Sequence, residues 1–211
     1  MRKNNYIKKF VTVFYIDIRN YTKLSEIKEL SIVGEFIMKY RQYIKSSSQY
    51  FLKNNKLLSN INVGDAVLYI IESSENKEKD LVDVIEFSQN VRTNLLKLLS
   101  EWKSRKDNNG NTMNYFENVN FGIGISQGIV LVKDEDFIGF AINQAAKIGD
   151  MRNLHKRGHI GIDIKLFSND NIVSKIRSDK TLKDKLIGHP KVGEFIYYEP
   201  YKKQFGVIYD N

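Results

Sequence analysis

The sequence predicts one α+β domain over residues 1–211, an antiparallel sheet of ferredoxin-like βαββαβ order with helices packed on it. Three observations lead there. Strand-type runs rich in β-branched and aromatic residues alternate with long stretches whose apolar residues recur at spacings of three and four. The dipeptide Gly64-Asp65 separates two strand-type runs closely enough to mark a hairpin. A chain of 211 residues with 42% hydrophobic content can bury one substantial core, and no internal repeat or low-complexity linker divides it.

Phe10 to Ile18 reads as a buried strand that ends at Asp17-Ile18-Arg19-Asn20. From Lys23 to Phe51 the apolar residues Leu24, Ile27, Leu30, Val33, Phe36, Ile37, Tyr40 and Ile44 trace one helix face, with Thr22 or Ser25 able to cap its start. Strands at Lys56 to Val63 and Ala66 to Ile71 flank Gly64-Asp65, which puts the aspartate at a turn. A second amphipathic helix covers Asp80 to Arg105, and the polar stretch from Lys106 to Thr112 is a loop. Strands Asn118 to Ser126 and Ile129 to Val132 are expected on either side of a turn at Gln127-Gly128. Phe140 to Leu154 reads as a third helix, with Ile142, Ala145, Ala146 and Ile148 inward. A strand at Ile160 to Asp163, a short helix at 164–176 and strands at 194–198 and 205–209 complete the chain. This order implies helices on one face of the sheet, and it does not by itself give a function.

Composition narrows the function classes. The apolar run from Phe10 to Ile16 is cut by Asp17, too short for a signal segment or a membrane span, so no membrane is expected. Without cysteine there are no disulfides or thiolate metal sites, which fits a cytoplasmic protein. The three histidines lack zinc-ligand spacing. A formal charge of +8 raises the question of nucleic acid, but the lysines are scattered and form no dense stripe, so no nucleic-acid partner is expected. The single Trp102 is expected in the core.

Chemistry gathers at the two aspartates. Asp17 stands at a strand end before a helix, where a carboxylate can hold Mg²⁺ or Mn²⁺ and free backbone N–H groups can meet phosphate oxygens. Alone, such an aspartate is more often a cap, and Gly64-Asp65 alone is more often a plain turn. Together, on strands that should be neighbours, they make a site for two cations.

These residues resemble the class III adenylate and guanylate cyclases. Phe14-Tyr-Ile-Asp17-Ile-Arg-Asn20-Tyr-Thr22-Lys-Leu24-Ser25 is similar to the family's F-x-D-I-x-G-F-T-x-L-S, and Gly64-Asp65-Ala66 to its G-D-A hairpin. Gly122-Ile-Gly-Ile-Ser-Gln-Gly128 resembles G-I-G-I-H-x-G, and Gly139-Phe-Ala-Ile-Asn143-Gln-Ala-Ala-Lys147-Ile resembles G-x-x-V-N-x-A-A-R-L. The resemblance implies metal binding by Asp17 and Asp65 with the Ile18 carbonyl, and a triphosphate lined by Asn20, Tyr21 and Thr22. It implies that Asn143 positions the ribose and that Lys147, where the family has arginine, steadies charge on the reacting phosphate. It also implies two divalent ions, Mn²⁺ or Mg²⁺, and a homodimer whose sites combine the aspartates of one copy with Asn143 and Lys147 of the other.

Three departures follow. Lys147 lacks the planar fork of arginine. Asn20 replaces a glycine and must adopt its backbone angles. The segment between Gly128 and Asp136 is shorter than the family's hairpin arm.

The base-reading positions, implied by the same resemblance, are Ile61 and Asp136. Ile61 stands where adenylate cyclases have a lysine and cannot donate to a purine nitrogen, whereas Asp136 can accept from uracil N3–H or a cytosine amine. A short stand-alone domain of this kind resembles the pyrimidine cyclases of Pycsar antiphage systems, which implies cyclic UMP ahead of cyclic CMP and a separate effector that senses it. Adenylate cyclase is the alternative, and a catalytically silent interaction module a further one. Lys191 resembles a late family lysine that reaches the triphosphate, and His159 lies near a phosphate-binding position, though solvated basic residues are the plainer reading of both.

Overall fold

The computed structural model describes residues 6–26, 30–54, 56–74, 77–106, 110, 114–150, 159–163, 187–188 and 195–198. In chain order the elements are β1 (Ile7–Arg19), α1 (Tyr21–Ser25), α2 (Leu30–Asn54), β2 (Leu57–Val63), β3 (Ala66–Glu72), α3 (Lys77–Lys103), a 3₁₀ turn (Asn114–Phe116), β4 (Asn120–Lys133), β5 (Asp136–Ile138), α4 (Phe140–Gly149), β6 (His159–Asp163), β7 (Ile187–Gly188) and β8 (Phe195–Tyr198).

β1 is the spine, antiparallel to β3 on one side and to β4 on the other, and β2 closes a hairpin onto β3. The resulting order β2-β3-β1-β4 is what the expected βαββαβ unit makes when one hairpin strand inserts between two strands joined by a helix. The sheet then continues through β6, parallel to β4, and on through β8 to β7.

Alternation along β1 divides the core. Phe14, Ile16 and Ile18 face α2 and α3, whose buried stripes include Val33, Phe36, Tyr40 and Ile44 from one helix and Phe87, Val91, Leu95 and Trp102 from the other. Aromatic contacts fasten this side: Phe14 meets Phe87 edge to face at 4.7 Å, and Trp102, buried as expected, meets Phe116 at 4.9 Å. Val11 and Val13 face the other way, onto Leu68, Ile70, Val130, Ala141 and Ala145.

That second cluster corrects one expectation: helices cover both faces, because α4 packs on the side away from α2 and α3. It packs closely. A Cβ at Gly124 would overlap the Ala145 carbonyl oxygen and the Gly149 amide nitrogen, which explains why this stretch of β4 is rich in glycine. The turn expected at Gln127-Gly128 is also corrected. β4 runs straight through it, because β1 is long enough to pair from Arg19↔Asn120 to Ile7↔Val132, and the chain turns instead at Asp134-Glu135, with Asp134 left-handed at φ 53°.

The helix expected from Lys23 to Phe51 is found as two segments, α1 and α2, and neither Thr22 nor Ser25 caps a start. Asn20 occupies the cap position of α1, and the Ser25 hydroxyl donates to the Thr22 carbonyl. α4 ends at Gly149, with Asp150 as its C-cap, short of the expected Leu154. β7 had no signal in the sequence. The expected helix at 164–176 and strand at 205–209 lie outside the described residues.

Candidate active site

Antiparallel pairing of β1 with β3 carries the two aspartates together. Ile16 stands across from Val67, so the next step of the ladder sets Asp17 beside the Gly64-Asp65 turn. Gly64 makes that turn with φ +60°, and Arg41 of α2 steadies it by donating Nη2 to the Gly64 carbonyl at 2.7 Å. The Asp17 and Asp65 carboxyls lie within hydrogen-bonding reach of each other.

Their electrostatics are unfavourable without a cation. Burial and then the charge of Asp65 push the Asp17 carboxyl up to about 7, against the pull of Arg19, and burial raises Asp65 as well. Arg19 Nη1 donates to Asp17 Oδ2 at 3.3 Å and also to Asp150 Oδ1, so one guanidinium serves two carboxylates. Burial and the same carboxylates push Tyr15 up to about 12 and Tyr40 well above its usual value. The Tyr40 hydroxyl is buried without a hydrogen-bond partner among the described residues. Asp17, Asp65 and Asp150 thus crowd a single arginine, and this excess of hard oxygen charge fits one or more divalent cations. Among the described residues no group of three or more His, Cys, Asp or Glu side chains is placed to hold a metal. Ile18 turns its side chain into the α2 and α3 core, where it is 4% exposed, which leaves only its backbone for such a role.

Just beyond the pair, Asn20 adopts φ 63°, ψ 22°, the left-handed conformation its glycine-like position requires, and its Nδ2 donates to the Asn118 carbonyl at 2.6 Å. Tyr21, half-buried, and Thr22, exposed, open α1 from there. Asn143 and Lys147, one turn apart, share the exposed face of α4, while Ala141, Gln144, Ala145 and Ile148 face the sheet. Ile61, half-buried on β2, and Phe137, next to the exposed Asp136, pack against the same apolar cluster. Lys191 lies outside the described residues; His159 is on β6, its backbone paired with Gly122.

The structure therefore joins Asp17, Asp65 and the start of α1 at one sheet end, and leaves Asn143 and Lys147 on an open helix face. Sequence reasoning missed Arg19, Asp150 and Tyr40. Strand alternation could have found Arg19, which shares a face with Asp17 two residues away; nothing local announces Asp150, 131 residues from its partner. No helix among the described residues is long and apolar enough to cross a membrane.

No family model and no curated protein matches the chain. Solved structures do. The adenylyl cyclase CyaB from P. aeruginosa superposes with a TM-score of 0.64 at 19% identity, over 92% of this chain and 94% of that one. The monomeric guanylyl cyclase domain of the RhoGC fusion protein from the aquatic fungus Blastocladiella emersonii gives 0.55 at 18% identity, over 92% and 96%. The adenylate/guanylate cyclase/hydrolase from Silicibacter pomeroyi gives 0.56 at 17%, over 93% and 99%. The fold of this chain is accordingly that of the class III adenylyl and guanylyl cyclase domains.

Proposed function

We propose that the chain is a homodimeric nucleotidyl cyclase, and the observation that carries this is the meeting of Asp17 and Asp65 at the sheet end beside the α1 turn. In the reaction the ribose 3′-hydroxyl gives up its proton to solvent and its oxygen attacks the α-phosphorus in line; the new O–P bond closes the 3′,5′ ring, the bond to the β-phosphate oxygen breaks, and pyrophosphate leaves. Asp17 and Asp65, with the Ile18 carbonyl, would hold two divalent ions, Mn²⁺ or Mg²⁺, whose chemistry when bound is to acidify the 3′-hydroxyl and neutralise phosphate charge. Asn20, Tyr21 and Thr22 would line the triphosphate, and Lys191 is assigned a contact with it on the sequence resemblance alone. Asn143 of a second copy orients the ribose, and Lys147 of that copy offsets charge on the α-phosphate. The exposure of Asn143 and Lys147 together on one face of α4 supports this division of labour.

The substrate we assign is a pyrimidine triphosphate, UTP ahead of CTP, with the product a second messenger of a Pycsar-type antiphage system acting in the cytoplasm on a separate effector. Supporting the base assignment, Ile61 packs into an apolar cluster and offers no donor to a purine, while Asp136 is exposed and free to accept.

The test is to incubate the purified chain with ATP, GTP, CTP or UTP and Mn²⁺, identifying products by mass spectrometry, with Asp65→Ala as control. Cyclic UMP or cyclic CMP that vanishes in the variant is expected. Cyclic AMP or cyclic GMP would keep the cyclase reading and overturn the base assignment; no cyclic product from any of the four would make the chain a silent interaction module.

A further inference from the structure

We propose that Asp150 is a positioning residue for the cation site: it draws the Arg19 guanidinium off Asp17, so that the Asp17 charge stays available to a divalent ion. This rests on the reading of Asp17 and Asp65 as metal ligands. The place of Asp150 is built into the backbone. α4 lies so close to the sheet that a Cβ on Gly149 would come within 2.8 Å of the Tyr15 ring, and a Cβ on Gly124 within 2.2 Å of the Gly149 amide nitrogen. The helix therefore ends over β1, and Asp150 follows as its C-cap, its own N–H donating to the Ala146 carbonyl at 2.8 Å. Arg19 leaves β1 on the same face as Asp17, two residues away. Its Nη1 donates to Asp150 Oδ1 and to Asp17 Oδ2.

The two contacts compete for one cation. The Arg19 side chain is 10% exposed and that of Asp17 15%, whereas that of Asp150 is 64% exposed. A guanidinium so far from water needs a counter-charge. With a single acceptor it closes to about 2.7–2.9 Å, the usual length of a charge-assisted pair. Nη1 instead stands 3.3 Å from Asp17, at the slack end of hydrogen bonding, because the same nitrogen serves Asp150. Without Asp150, Asp17 is the one carboxylate among the described residues that Arg19 still contacts. The guanidinium then neutralises the charge on which a divalent ion depends, and an ion entering the site must break a tighter pair. Asp150 is not placed to be a ligand itself, since no group of three acidic side chains among the described residues could hold a metal. Its effect passes through Arg19, as with other outer partners of ligating carboxylates, whose loss changes metal affinity by about 10–100-fold.

The test needs no turnover. Mn²⁺ is titrated into the metal-free full chain at pH 8 without nucleotide, and the free ion is followed by its electron paramagnetic resonance signal, with Asp65→Ala locating the binding at the acidic pair. Asp150→Asn is expected to weaken Mn²⁺ binding about tenfold, and Asp150→Glu, which keeps the acid, to recover most of the loss. In an Arg19→Gln background the same Asp150→Asn change should alter affinity less than about twofold, because the residue through which it acts is gone. Should Arg19→Gln fail to fold by circular dichroism, Glu117→Gln takes its place as the control. That exposed acid lines a cavity with Arg19 but makes no ion pair with it among the described residues, so its loss should leave Mn²⁺ affinity unchanged. Affinity in Asp150→Asn within about twofold of the wild type overturns the proposal alone, as does an equal loss in the Arg19→Gln background or in Glu117→Gln, which would mean that charge acts through space. Absence of Mn²⁺ binding to the wild-type chain, or binding that survives Asp65→Ala, overturns the reading of the acidic pair as a metal site and this proposal with it.

Discussion

At the scale of single residues the site is defined by charge held out of water. Asp17 titrates at about 7 in the folded chain and close to the ordinary carboxylate value when unfolded. Between those values the folded state holds a proton that the unfolded state has released, so stability of the metal-free protein falls as pH rises from about 4 to about 7 and then levels off. Thermal unfolding in EDTA across that range should show the decline, and Asp65→Asn, which removes the neighbouring charge, should shrink it. The proposed Mn²⁺ site uses the ionised pair, so a stabilising shift in Tm on adding Mn²⁺ should be larger at pH 8 than at pH 5. Lys147 invites the opposite kind of change. A lysine meets a phosphate as a point charge, whereas arginine contacts two oxygens; Lys147→Arg is expected to raise kcat about threefold to tenfold with little change in KM, measured as steady-state pyrophosphate release.

At the scale of elements, α4 is set by what β4 lacks. At Gly124 an added methyl group meets the backbone of Ala145 and Gly149, which cannot swing aside, while at Gly128 it meets only the Ala141 methyl at an ordinary 3.4 Å. Gly124→Ala should therefore cost about 3 kcal/mol or prevent folding, and Gly128→Ala well under about 1 kcal/mol, compared by the midpoint of urea unfolding. These elements also show what a sequence can disclose. The acidic pair was legible because a strand end and a glycine-aspartate hairpin are both local signals, and pairing of neighbouring strands follows from chain order. Asn20 was legible for the same reason, since a short side chain at a glycine-like position foretells left-handed angles. The glycines of β4 misled, because glycine marks a turn and a close approach with one letter, and only the length of β1, a distant segment, decides between them. That α4 lies opposite α2 and α3, and that Asp150 reaches Arg19, are consequences of packing across the sheet and leave no periodicity to read.

At the scale of the whole molecule, one copy holds the parts of the proposed site on two separate surfaces. The sheet end carries Asp17 and Asp65, and the outer face of α4 carries Asn143 and Lys147. No hydrogen bond or ion pair joins the two sets among the described residues. Arg19 still links the two elements, because it grips Asp17 on β1 and Asp150 at the end of α4. A dimer built this way makes a quantitative prediction. Asp17→Ala and Asn143→Ala should each be inactive alone, since every site in such a homodimer lacks an essential group. Mixed in equal amounts and allowed to exchange, half the dimers are mixed; each mixed dimer has one site with both lesions and one with neither, so about a quarter of the wild-type rate should return. The cyclic product formed by the mixture, measured against total dimer, checks this. No recovery, with subunit exchange demonstrated by size-exclusion of tagged copies, would mean that aspartates and α4 residues act within one chain, and would require α4 to move from the place the sheet now gives it.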